Sequence, residues 1–290
     1  MHRSIRLLQI GDDTLEYAVV GTGAPVLLFH GGHSSCHEEF GYPALLAAGY
    51  CVITPSRAGY GRTSQAADLR EACRLYRSLL DHLAVEQAHV IAVSAGGPTG
   101  IAFCSMYPEC VASLTLQCAV TKPWLAPEDG QYRMAKRLFK PETERRTWKL
   151  LAAMNNAMPK LTLRMMASSF SSLPYSEIRE HLDDQAFELF RRMNNRQRSY
   201  AGFSIDLVQT QEDYAAELSA IQAPTFIMHS RFDRSVPLSH PEHANRLIPR
   251  SETCILDSWG HLIWIGRHAA EYDNALLAFL SRQEGLPRIQ

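Results

Sequence analysis

A chain of 290 residues, 46% of them hydrophobic, is long enough for one large α/β core, or for a core carrying an inserted subdomain. A formal net charge of −1 provides no global field for nucleic acid or an anionic membrane. Seven cysteines, an odd number without C-x-x-C spacing, read as reduced and mostly buried thiols of a cytoplasmic protein, and no run approaches the ~18 apolar residues of a membrane helix.

Residues 4–20 predict two strands at a sheet edge, turning at Gly11-Asp12-Asp13. Residues 26–29 form a short, wholly apolar strand of the kind buried on both faces of a parallel sheet, and run into His30-Gly31-Gly32-His33. A helix is predicted over 38–48, closed by Gly49, then a buried strand over 50–54 and a long loop over 55–64. Leu69, Ala72, Cys73, Tyr76, Leu79, Leu80 and Leu83 recur at helical spacing. An apolar run, Val90 to Val93, stops at Ser94; Ala95, Gly96 and Gly97 follow, then a helix over 101–107 ended by Pro108. Residues 111–119 predict another strand.

The character changes at Thr121. Residues 122–216 are rich in Arg, Met, Asn and Ser, show helical spacing without a strand, and are punctuated by Pro123, Pro127, Pro141, Pro159 and Pro174. They read as one helical cap inserted between two parts of a single core, residues 1–121 and 217–290. Strands return at 224–229 and 253–256 around a helix at 243–247; a helix over 269–280 closes the chain, and the last residues look loose. Alternating strands and helices predict an α/β fold, a mostly parallel sheet with helices on both faces. In such sheets sites form at the carboxyl ends of the strands. His30, Ser94, Asp233 and His261 each come just after a predicted strand.

The bend itself reads Ala92-Val93-Ser94-Ala95-Gly96, the strand–turn–helix context of a G-x-S-x-G nucleophile elbow with alanine for the first glycine. A phosphate-binding loop would place a lysine after the glycines, and none follows. Taken alone the stretch is equally an ordinary crossover turn.

With the other motifs in order, the sequence resembles the α/β-hydrolase family over nearly its whole length outside the cap. The resemblance rests on the His30-Gly31-Gly32 turn, the small-x-Ser-x-Gly elbow at Ser94, Asp233 ahead of Val236-Pro237, and Gly260-His261 near the C-terminus. The loop from Ser56 to Ser64 is similar to the family's D-x-x-G-x-G-x-S loop, with Arg57 and Ala58 departing from it. The resemblance implies an α/β-hydrolase fold. It implies Ser94 as nucleophile, His261 as base and then acid, and Asp233 as the acid that orients the imidazole, with Asp257 the rival for that role. It also implies backbone N–H groups of Gly32 and Ala95 as an oxyanion hole. Gly31, His33 and Trp259 are assigned to the substrate pocket, His33 against the alternative of an exposed loop histidine; Trp259 and Trp264 either wall the pocket or pack the last strand. His30 is assigned to bracing its turn.

On this reading the protein is a serine hydrolase cleaving a small-molecule ester or related acyl bond. A carbon–carbon bond hydrolase on a diketone-type substrate would use the same triad, and a ligand receptor could share the scaffold. A haloalkane or epoxide hydrolase would carry Asp where Ser94 stands. No cofactor and no metal are expected, because no Cys/His/Asp cluster has ligand spacing. The expected partner is a small-molecule substrate, not nucleic acid or membrane, and a homodimer is left open. Arg191, Arg192, Arg196 and Arg198 read as a solvated helix face or as an attractor of a carboxylated substrate. Met154, Met158, Met165 and Met166 read as core of the cap or as an adaptable pocket lining.

Overall fold

A computed structural model describes residues 3–39, 41–283 and 289. Strands β1 (Ser4–Ile10) and β2 (Asp13–Val20) form an antiparallel hairpin at one edge, turned through Gly11 at φ 59. β2 runs antiparallel to β4 (Tyr50–Pro55). β3 (Ala24–Phe29), β5 (Ala88–Val93), β6 (Val111–Gln117), β7 (Thr225–Ser230) and β8 (Ser251–Leu256) complete a mostly parallel eight-stranded sheet ordered β1-β2-β4-β3-β5-β6-β7-β8. β4, β5 and β7 are buried at every position, which is why they show no apolar/polar alternation.

Each sheet face carries its own apolar layer. One is closed by α2 (Leu69–His82), α3 (Gly97–Met106), α10 (Ala215–Ala220) and α11 (Ser239–Leu247), through side chains such as Tyr76, Leu79, Ile101, Leu218 and Ala244. The other is closed by α1 (Tyr42–Ala47) and α12 (Ala269–Ser281), and it continues into the inserted helices through Leu163, Ile178, Phe190 and Met193. Those helices are α4 (Gly130–Leu138), α5 (Glu144–Ala157), α6 (Pro159–Phe170), α7 (Tyr175–His181), α8 (Asp184–Arg196) and α9 (Gly202–Gln209), all between β6 and β7. The predicted boundary at residue 216 falls inside α10, which packs on α3 and α11 with the core.

Local chemistry moves several predicted ends. The helix expected over 38–48 starts at Tyr42, because Gly41 at φ 67 breaks the turn before it and Pro43 suits the first turn after it. Likewise Pro98 opens α3 at Gly97, well before residue 101. α11 starts at Ser239 and β8 at Ser251, earlier than the periodicity suggested. The expectation for the chain end lies mostly outside the described residues; Ile289 bridges Gly23. Among the described residues no helix is long and apolar enough to cross a membrane, and all seven cysteines are free, six of them buried.

Candidate active site

The carboxyl ends of β3, β4, β5, β6, β7 and β8 meet at one edge and bring together Gly31, Arg57, Ser94, Cys118, Asp233 and His261. Ser94 has φ 52, the left-handed region, at a strain cost of about 1–3 kcal/mol that the surrounding packing must hold. That packing admits little bulk. A Cβ at Gly96 would sit 2.6 Å from the Phe29 carbonyl oxygen, and one at Gly97 2.2 Å from that of Val120. Alanine at 92 is accommodated from the opposite side, since a Cβ at Gly100 of α3 would lie 2.4 Å from the Ala92 methyl. The glycine missing from the elbow is thus present on the helix that faces it.

His261 Nε2 stands 2.9 Å from Ser94 Oγ, and Nδ1 2.7 Å from Asp233 Oδ2. A carboxylate can only accept, so Nδ1 carries the hydrogen and Nε2 is free to accept the Ser94 proton. Burial works to raise the Asp233 pKa, but the charge of His261 and hydrogen bonds from His229 and His261 outweigh it, and Asp233 is held well below the usual carboxylate range. Its Oδ1 accepts the Val236 N–H at 2.9 Å, while His229 Nε2 lies 3.3 Å from Oδ2. Asp257, the rival acid, is exposed and bonded to Arg231 at 2.8 Å. This chain of bonds can move a proton off the Ser94 hydroxyl while an acceptor carbonyl is attacked.

Gly31 and Gly32 run beside the serine: a Cβ at Gly31 would lie 3.3 Å from Ser94 Cβ, and one at Gly32 3.7 Å from Ala95 Cβ. Arg57, at a free position of the loop pattern, braces this turn. Arg57 donates from Nε to the His30 carbonyl at 2.7 Å and from its backbone N–H to His30 Nε2 at 3.0 Å. Its two terminal nitrogens grip Asp206 of α9 at 2.6 and 2.9 Å, and Tyr60 donates to the same carboxylate at 2.6 Å. His30 therefore holds the turn, as expected, with its remaining nitrogen donating to the Gly31 carbonyl at 2.8 Å. The leading Asp of the loop pattern is Ser56 here, and a carboxylate comes instead from Glu16 of β2, which accepts the Ser56 hydroxyl at 2.9 Å.

Above Ser94 lies a cavity of about 380 Å³, within the usual size of a small-molecule site. Gly31, Gly32, His33, Ala95 and His261 border it, and the inserted helices wall it with Phe139, Trp148, Met166, Phe170, Met193 and Phe203. Among the described residues no Lys or Arg lines it. His33 stacks on Phe203 with ring centroids 3.9 Å apart and has Nδ1 2.8 Å from Ser199 Oγ. That hydroxyl also accepts from Trp148 at 2.7 Å, so Ser199 ties His33 to the Trp148 ring. Burial pushes the His33 pKa down to about 3, which keeps the ring neutral.

Some predicted residues sit elsewhere. Trp259 does not line the cavity; it is 1% exposed, donates to the Ile265 carbonyl and packs the core, whereas Trp264 borders the cavity. Met158 and Met165 face solvent, and of the four methionines only Met166 borders the cavity. Arg191, Arg192, Arg196 and Arg198 are each committed to a glutamate. Cys118, in the sequence only one of seven thiols read as mostly buried, also stands at this edge. Its backbone is left-handed at φ 46 and its thiol lies within 4.8 Å of the Asp233 and His261 ligand atoms. That trio is occupied by the serine–histidine–aspartate chain. A second trio of potential ligands, Glu16, Cys36 and His37, has its carboxylate taken by Arg62 and its thiol pushed up to about 11 by burial.

A sequence model of the α/β-hydrolase fold family matches residues 24–267. The chain belongs to that family and is a hydrolase. It is 51% identical over 282 residues to the uncharacterized hydrolase YcgS of Bacillus subtilis, covering 97% of this chain and 99% of that one. It is 25% identical over 249 residues to a 2-hydroxy-6-oxononadienedioate/2-hydroxy-6-oxononatrienedioate hydrolase of Paraburkholderia phymatum, covering 82% and 79%. An α/β-hydrolase-fold protein of Nakamurella multipartita superposes with a TM-score of 0.81 at 22% identity, over 97% of this hydrolase and 100% of that chain.

Proposed function

We propose that this hydrolase cleaves an uncharged, largely apolar ester or related acyl bond through an acyl-enzyme on Ser94. The observation that carries the reading is the Ser94–His261–Asp233 chain, bonded at 2.9 and 2.7 Å, opening into a cavity without a cationic side chain. His261 takes the serine proton as Oγ attacks the carbonyl carbon, then returns it to the leaving alcohol; a water repeats the cycle on the acyl-enzyme. Backbone N–H groups of Gly32 and Ala95 receive the charge that develops on the carbonyl oxygen, each worth ~2.7–4 kcal/mol in such a hole. The neutral aromatic wall of His33, Phe139, Trp148 and Phe203 suits a planar apolar group.

The relative from Paraburkholderia phymatum is named for a dioate, a dianion. Carbon–carbon cleavage of a similar substrate would need a counter-charge in the pocket; no Lys or Arg among the described residues lines it, and Arg57 and Arg196, which reach lining residues, are already paired with the carboxylates of Asp206 and Glu38. The test sets aryl and alkyl p-nitrophenyl esters against a 2-hydroxy-6-oxodienoate. Faster ester turnover, with fluorophosphonate labelling at Ser94, is expected. A higher kcat/KM for the dienoate would overturn the ester reading, and a single stoichiometric burst without turnover would point to a ligand receptor.

A further inference from the structure

The near-zero net charge of the chain conceals a split. Helices α4 to α6, residues 130–170, hold nine Lys and Arg against two Glu, a net charge of +7, so the rest of the chain carries −8. Of the two acids, Glu144 is buried under Arg198. Among the described residues, none of the nine cations is in an ion pair, in contrast to the four arginines of residues 191–198.

The same helices carry most of the large apolar side chains turned to solvent. Leu150 is 72% exposed and Met165 59%, with Leu138, Met158 and Leu161 also exposed. They are interleaved with the cations. On α6, Leu161 and Met165 lie one turn apart, next to Lys160 and Arg164; on α5, Arg146 and Leu150 lie one turn apart, beside Lys149. α5 packs on α6, and the Thr147 hydroxyl donates to the Leu138 carbonyl at 3.0 Å, tying α5 to the end of α4. The inward neighbours Phe139, Trp148 and Met166 line the cavity. These helices are therefore a wall with an apolar inner face and an apolar, cationic outer one.

We propose that the outer face of α4–α6 docks the hydrolase reversibly on an anionic lipid surface. Cations beside exposed Leu and Met side chains suit a bilayer interface, where the charges meet headgroups and the apolar side chains enter the acyl boundary. A second copy does not fit this face, because a two-fold pair would set +7 against +7. Duplex nucleic acid would satisfy the cations and leave the apolar side chains in water. No described helix can span a bilayer, so the attachment is peripheral. An apolar substrate held in the lipid would then meet the wall of the cavity directly.

The test is co-sedimentation of the intact protein with phosphatidylcholine vesicles, alone or mixed with phosphatidylglycerol. Binding is expected to the mixed vesicles only, and to weaken as salt rises. Lys149→Glu with Arg164→Glu should weaken it by at least about tenfold. Leu150→Ser with Met165→Ser should remove the part that survives high salt. Circular dichroism checks folding, and Lys149→Gln with Arg164→Gln serves if the charge reversal fails to fold. No binding to mixed vesicles, equal binding to neutral ones, binding unchanged in both pairs, or retention by duplex DNA without vesicle binding would each overturn the proposal.

Discussion

On the strand side of the cavity, Ser94, His261 and Asp233 come from loops that follow three different strands, and each bond between them is directed and short. On the helical side, Phe139, Met166, Met193 and Phe203 meet the same space with apolar surface and no directed bond to those three side chains. The first side depends on atoms held within tenths of an ångström, the second on volume and shape. The two are nevertheless stitched together. The Phe170 carbonyl accepts the N–H groups of His261 at 2.9 Å and Arg234 at 3.3 Å, and Ser171 bridges Asp233. Arg57 reaches from β4 to Asp206 on α9. The insertion supplies none of the Ser94, His261 and Asp233 side chains but supports the loops of the latter two through its backbone, so it is less separable than its composition suggests.

The comparison breaks most simply at Ser94. Ser94→Ala should lower ester kcat by on the order of 10⁶ while leaving the fold intact; retained turnover would move the chemistry elsewhere. Asp233→Asn should cost about 10⁴ through the wrong imidazole tautomer, whereas Asp257→Asn should be near normal. The reverse pattern would exchange the two acids.

The stitching is tested by Arg57→Leu, which strands a buried carboxylate and should destabilise the protein by about 3–5 kcal/mol. Arg57→Leu combined with Asp206→Leu should recover much of that in urea denaturation. Losses that simply add would show that the pair is not coupled. The helical side should respond more mildly. Met166→Ala should shift the preference between short and long acyl esters by about 10–200-fold in kcat/KM, and Met165→Ala should not shift it.

The smallest effect lies in pH. His33, neutral with its pKa pushed down to about 3, takes up no proton in the folded state between 6.5 and that value, while the unfolded chain does. Stability should therefore fall as pH drops through this window, and His33→Gln should flatten the slope of melting temperature against pH. An unchanged slope would assign the acid sensitivity to other groups, such as buried His240.

Much of the site was legible because it is local. An apolar run ending in Ser94, a Gly pair after another, and Asp233 and His261 after two more are patterns that backbone geometry imposes on contiguous residues. The parallel sheet and its site-bearing edge followed from strand–helix alternation, since covering both sheet faces forces buried strands to be apolar throughout. What the sequence did not disclose depends on residues far apart. Trp259 and Trp264, five positions apart, divide between core and cavity because of which way a loop turns, not because of composition. The partners of Arg57, the compensation of Ala92 by Gly100, and the Cys118 thiol beside Asp233 join separate segments. Net charge likewise sums over the whole chain, and only folding sorts cations that find a glutamate from cations that face water. The strands and turns were written in the order of the residues; the contacts between them were decided by tertiary packing, which no local pattern records.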